Sequence, residues 1–145
     1  MTIDETGAPF PIKTTVSRQR VQDLLTTAIE GGTSYWAQLG YKLGPGYKYE
    51  EFREGGELQD AEQYAHPLEI IPFHEGCYLV VIETEEDEDD PTREHLVGAA
   101  EMQRALDLMA EKRPEDLATF LAGNEDADTG DVFLQLAALG EVRYG

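Results

Sequence analysis

The chain has 145 residues with 30 Asp+Glu against 11 Lys+Arg, a formal net charge of −19. Such a surface repels phosphate backbones and anionic lipid headgroups, and no basic patch offsets it, so direct binding to nucleic acid or to a membrane is not expected. With 41% hydrophobic residues the chain has the apolar content of a folded domain, and this length ordinarily makes one core that buries roughly 68–70% of the unfolded surface.

Cys77 is the single cysteine, which excludes an intramolecular disulfide and a zinc site built from paired cysteines. The N-terminus starts with acids rather than a basic and then apolar leader, and no apolar run approaches the roughly 20 residues of a membrane-spanning helix. The expectation is a cytoplasmic protein.

Residues 1–15 contain Gly7, Pro9 and Pro11 and no period. They read as a loose arm for which Phe10 and Ile12 are the candidate anchors, with one domain over 16–145. Ser17 sits where an N-cap belongs, and Val21, Leu24, Leu25, Ala28 and Ile29 repeat at the spacing of one buried helical face. Gly31 and Gly32 are expected to close this helix in the left-handed conformation. From Gly40 to Gly56, glycines and Pro45 interleave with Tyr41, Tyr47, Tyr49 and Phe52; this reads as irregular, with one short strand or helical turn near 47–53.

Leu68, Ile70 and Ile71 between Pro67 and Pro72, followed by the strand-like run 78–84, predict an antiparallel hairpin. Beyond the acidic stretch 83–90, Thr92 is positioned to cap a helix running to Lys112. Pro114 opens a short helix that ends at Gly123, and Asp128 is positioned to cap a third that ends at Gly140. The tail 141–144 reads as a short last strand. The order defines an α+β protein with an N-terminal helix, a small antiparallel hairpin or sheet, and two or three C-terminal helices.

The acid excess is uneven. Residues 1–82 hold 12 acids and 6 bases, net −6, while 83–145 hold 18 acids and 5 bases, net −13. The run 83–90 alone places seven carboxylates in eight positions. Two readings fit it: a solvated surface that keeps the protein soluble, or a surface that imitates a nucleic-acid backbone and engages a basic protein through Glu85, Glu86, Asp87, Glu88, Asp89 and Asp90.

Other constellations are weaker. Asn124, Asp126 and Asp128 alternate as calcium-loop ligands do, but Thr129 stands where the loop glycine belongs and Gln135 where its bidentate glutamate belongs. His66, His74 and His95 are scattered, and no phosphate-binding glycine motif or nucleophile elbow occurs. Cys77 reads as a small buried side chain, with His74 near enough in sequence for a nucleophilic partnership as the alternative. No metal, cofactor or catalytic residue is assigned, and a non-enzymatic role is favoured. Tyr35, Trp36, Tyr41, Tyr47 and Tyr49 either seal a core edge or line a pocket for a small molecule or nucleotide. Only Lys42 and Lys48 stand near them to neutralise a phosphate.

The blocks VSRQRVQDLLTTAIEGGTSYW (16–36) and DADTGDVFLQLAALGEVRYG (126–145) resemble the opening and closing segments of small accessory proteins encoded by tailed phages and prophages. The resemblance covers 41 residues and leaves out the middle, the acidic run included. It implies a non-structural gene product acting in a host cytoplasm and carries no functional residue over to this chain. The expected partner is therefore a host or defence protein with a basic surface.

Overall fold

A computed structural model describes residues 13–59 and 65–145. The architecture is α+β: α1 (Arg18–Thr27), β1 (Ala37–Lys42), α2 (Pro67–Ile70), β2 (Tyr78–Glu83), β3 (Glu94–Val97), α3 (Ala99–Lys112), α4 (Pro114–Leu121) and α5 (Ala127–Leu139). The three strands form one antiparallel sheet in the order β1-β2-β3, with Gly40 opposite Val80 and Val80 opposite Leu96. Among the described residues no helix is long and apolar enough to cross a membrane.

Helix α5 is the centre of the molecule. Residues Thr129 to Ala138 are all buried, because α1, α3, α4 and β3 each pack against this helix. Leu24 and Leu25 of α1, Leu79 and Val81 of β2, Met109 of α3, Phe120 of α4 and Phe133 of α5 are fully buried together. Each such side chain contributes roughly 1.5–3 kcal/mol relative to exposure. A smaller cluster of Phe52, Ile70, Ile71 and Cys77 lies apart from it.

Helix α1 begins as its sequence predicts, with Ser17 Oγ accepting from the Arg20 N–H. Its end differs from expectation. Gly31 and Gly32 do not take a left-handed conformation; residues Ala28–Gly32 continue as one right-handed π-helical turn. At Gly32 glycine is required by space. A Cβ on Gly32 would strike the Ala127 carbonyl of α5, and a Cβ on Gly130 would lie 2.6 Å from the Ala28 nitrogen. The pair lets the two backbones touch where α1 crosses α5.

The predicted hairpin is corrected in its first arm and in its pairing, while its second arm is the strand β2 as expected. Residues 68–71 are helical: His66 Nδ1 accepts from the Leu68 N–H, Glu69 Oε2 accepts from the His66 N–H, and Pro67 occupies the first helical position. These caps outweigh the strand preference of Ile70 and Ile71. β2 pairs instead with β1, whose second half, from Gly40, lies in the segment expected to be irregular, and with β3. The helical turn expected near 47–53 is present as a 3₁₀ turn, Tyr49–Phe52.

The helix expected to start at Thr92 starts at Ala99. Asp90 Oδ1 accepts from the Thr92 N–H and hydroxyl, holding a single 3₁₀ turn over Pro91–Arg93. The chain then enters β3, and extended Gly98 donates its N–H to Glu101 at 2.9 Å to begin α3. Pro114 opens α4, and Gly123 and Gly140 adopt positive φ at the ends of α4 and α5, as predicted. The cap of α5 is Asp126 rather than Asp128, since Asp126 Oδ1 reaches the Thr129 N–H and hydroxyl at 3.0 and 2.9 Å. The short last strand expected over 141–144 is not formed: after Gly140 the chain is irregular and is held by the Gln135 side chain of α5, which accepts from the Arg143 and Tyr144 N–H groups. The candidate anchors Phe10 and Ile12 lie outside the described residues.

Two consequences are measurable. Gly130→Ala is expected to destabilise by about 1–3 kcal/mol in urea denaturation, since α1 must move to admit the methyl. Glu69 is buried, its Oε1 has no hydrogen-bond partner, and burial together with the neighbouring Glu30 holds its pKa above the ordinary carboxylate value. A carboxyl with a raised folded pKa stabilises at acid pH, and that stability is lost as pH rises through the folded pKa. Glu69→Gln is therefore expected to be more stable than the parent above neutral pH, with the difference closing toward pH 4. A constant difference across the range would show that no proton is held there.

Candidate partner-binding surface

The hairpin between β2 and β3 carries the predicted acidic residues. Glu85, Glu86, Asp87, Glu88 and Asp89 are exposed, and Asp90 is half-buried. Asp87 Oδ1 accepts from the Asp89 N–H at 3.1 Å, and the Thr92 hydroxyl and N–H lower the Asp90 pKa. Two of the six thus shape the turn that displays the others. Among the described residues none of the six makes an ion pair.

Glu83 opens the same run in sequence but has a different role. It is buried at the end of β2 and is held by three side chains, two from the C-terminal segment and one from β3. Arg143 Nη1 donates to its Oε1 at 2.6 Å, the Tyr144 hydroxyl to the same oxygen at 2.7 Å, and His95 Nε2 to its Oε2 at 2.8 Å. Burial alone would raise its pKa; the bonds from Tyr144 and His95 and the charge of Arg143 outweigh burial and hold it below the ordinary value. Desolvation, followed by the bond to Glu83, pushes the Tyr144 pKa up to about 12, so the phenol stays a donor.

A second buried carboxylate lies one layer away on α5. Asp131 Oδ1 accepts from Trp36 Nε1 at 2.7 Å; Asp131 Oδ2 accepts from the Tyr35 hydroxyl at 2.5 Å and from Gln135 Nε2 at 3.1 Å. Gln135 completes the junction. Its Oε1 accepts from the Arg143 and Tyr144 N–H groups at 2.7 and 2.8 Å, and its Nε2 donates to the Tyr144 carbonyl at 3.0 Å. The Tyr144 ring stacks on Trp36 with centroids 5.2 Å apart. The C-terminal segment, the residues before β1, helix α5 and the base of the acidic hairpin are thereby tied together, the Thr84 N–H donating to the Trp36 carbonyl at 2.8 Å.

The five candidate aromatics fall into three places. Trp36 is fully buried in this junction while the Tyr35 ring is half exposed beside it. Tyr41 and Tyr49 stack on each other at 4.8 Å. Tyr47 packs against Phe52 and the edge of His74. His74 Nε2 accepts from Arg18 Nη2 at 3.3 Å, and burial, followed by the Arg18 charge, lowers its pKa. The thiol of buried Cys77 accepts from the Gly44 N–H at 3.4 Å, so Cys77 fills the small apolar cluster and its described bond does not involve His74.

Next to the junction lies a cleft of about 530 Å³, bordered by Tyr35, Asp131 and Tyr144 and by Arg113, Asp116 and Asp128. Arg113 Nε donates to Asp116 at 3.0 Å. Tyr144, which borders the cleft, also bonds Glu83 at the base of the hairpin, so the acidic loop springs from beside the cleft. No protein-family model, curated protein or solved structure matches the chain.

Sequence reasoning missed Glu83, Asp131, Gln135, Arg143 and Tyr144 as members of one network. The available signal was Asp131 and Gln135 four residues apart, with Gln135 the single polar residue in the run Val132–Leu139, a spacing that puts both side chains on one face.

Glu83→Gln is expected to cost roughly 1–3 kcal/mol at neutral pH, since a neutral amide cannot accept from Arg143, Tyr144 and His95 together. A depressed folded pKa contributes stability that is present above the unfolded value and lost as pH falls through the folded value. The penalty should therefore shrink on acidification, and chemical denaturation at pH 7 and pH 3 checks it.

Proposed function

We propose that this chain is a non-enzymatic accessory protein of the phage-encoded kind its terminal blocks resemble, acting in a host cytoplasm by binding a host or defence protein through its acidic end. The observation that carries the reading is the hairpin Glu85–Asp90, whose carboxylates are raised on a turn of their own and make no ion pair among the described residues. Charges left without intramolecular partners cost little in water and are available to a complementary surface. A row of carboxylates spaced along a turn can occupy a groove built for phosphates, as duplex DNA offers about one charge per 1.7 Å of axis.

The test is capture from host lysate by the parent chain and by a variant carrying Glu85→Gln, Glu86→Gln, Asp87→Asn, Glu88→Gln and Asp89→Asn, with Asp90 kept because it holds the 3₁₀ turn. The parent is expected to retain a basic or nucleic-acid-binding protein at about 0.15 M salt and to release it toward 1 M, where the screening length shrinks from about 8 Å to 3 Å. The variant is expected to lose it at the lower salt. Capture that ignores both salt and the substitutions would remove the acidic loop from the interaction.

A further inference from the structure

The two buried carboxylates at the acidic end are compensated differently. Glu83 has a guanidinium at 2.6 Å. Asp131 is 8% exposed and accepts only from a phenol, an indole and an amide; among the described residues no cation pairs with it. A carboxylate withdrawn from water without a counter-charge is costly, and buried charges in proteins are as a rule paired. Asp131 does not face the core alone, because it borders the 530 Å³ cleft, a volume within the roughly 300–1,000 Å³ of ligand sites.

The rest of the lining favours the same sign of ligand. Asp128, one turn before Asp131 on α5, is exposed and unpaired among the described residues. Asp116 is engaged with Arg113, whose side chain remains 42% exposed at the rim. Three carboxylates thus face one cation, and an anionic ligand is disfavoured. The wall is aromatic: the Tyr35 ring is 50% exposed while its hydroxyl is fixed to Asp131. Such a side chain is tethered at its hydroxyl and remains half accessible to solvent. A planar guanidinium can lie on an aromatic face and donate in parallel to a carboxylate, which a compact ammonium cannot do.

We infer that this cleft receives an arginine side chain of the basic partner, its guanidinium laid against the Tyr35 ring and directed at Asp131 and Asp128. The inference rests on the basic partner proposed above and places the specific contact in the cleft, while the hairpin supplies attraction at longer range.

The experiment titrates N-acetyl-arginine amide into the full chain and follows the Trp36 indole N–H, which donates to Asp131, by NMR. A saturable shift of that signal is expected, absent with the neutral isostere N-acetyl-citrulline amide. Asp128→Asn should weaken the titration about threefold to fivefold, and the hairpin variant should bind the amide as the parent does. A shift that does not saturate, or one equal for citrulline, would overturn the site. Equal affinity for N-acetyl-lysine amide would overturn the guanidinium assignment. Loop-dependent capture of a basic protein with an unmoved indole signal would overturn the cleft alone, whereas saturable amide binding without such capture keeps the cleft and removes the loop reading.

Discussion

Helix α5 is enclosed on every side, and the rest of the fold follows from making that enclosure possible. A helix with water on one face can carry polar residues at no cost, but Asp131 and Gln135 sit in the ten consecutive buried residues of α5 and need partners within the protein. Trp36, Tyr35 and the backbone of the C-terminal segment provide them. The enclosure has a steric side as well. α1 reaches α5 only because Gly32 and Gly130 remove the side chains from the crossing, so packing and polar satisfaction act on the same helix from opposite directions.

The blocks 16–36 and 126–145 are distant in sequence, yet they meet as one structural unit. Gly32 meets the backbone of α5, and Tyr35 and Trp36 bond to Asp131; Gln135 in turn holds the backbone of Arg143 and Tyr144. Residues that pack and bond across such a junction constrain one another, whereas the hairpin 84–90 is anchored at its base and otherwise meets solvent. Its composition can vary without touching the core.

Elements bounded by local signals were legible in the sequence. The Ser17 cap, Pro114, Gly123, Gly140 and the run Tyr78–Glu83 each act through their own backbone or their immediate neighbours. Elements that depend on distant partners were not. β1 lies in a stretch punctuated by glycine and becomes a strand because β2 supplies its ladder, with Gly40 opposite Val80. Residues 68–71 look like a strand by composition and are helical because His66 and Glu69 cap each other around Pro67. The same division holds at the candidate site. The exposed acids could be read directly, but Glu83 looked like one more of them, and only the fold brings Arg143, Tyr144 and His95 to it.

Glu83 and Asp131 also show why a net charge of −19 understates the electrostatic design of this end. In water each exposed carboxylate is screened within about 8 Å at physiological salt, so the field of the hairpin is diffuse, of the kind that in general orients an encounter more than it fixes one. The buried pair is not screened in that way. At Glu83 the field is closed by Arg143 and spent on holding the C-terminal segment to the sheet. At Asp131, which borders the cleft, only neutral dipoles answer the charge. The charge of one carboxylate is therefore answered by a cation within the chain, and the charge of the other is met by neutral donors alone.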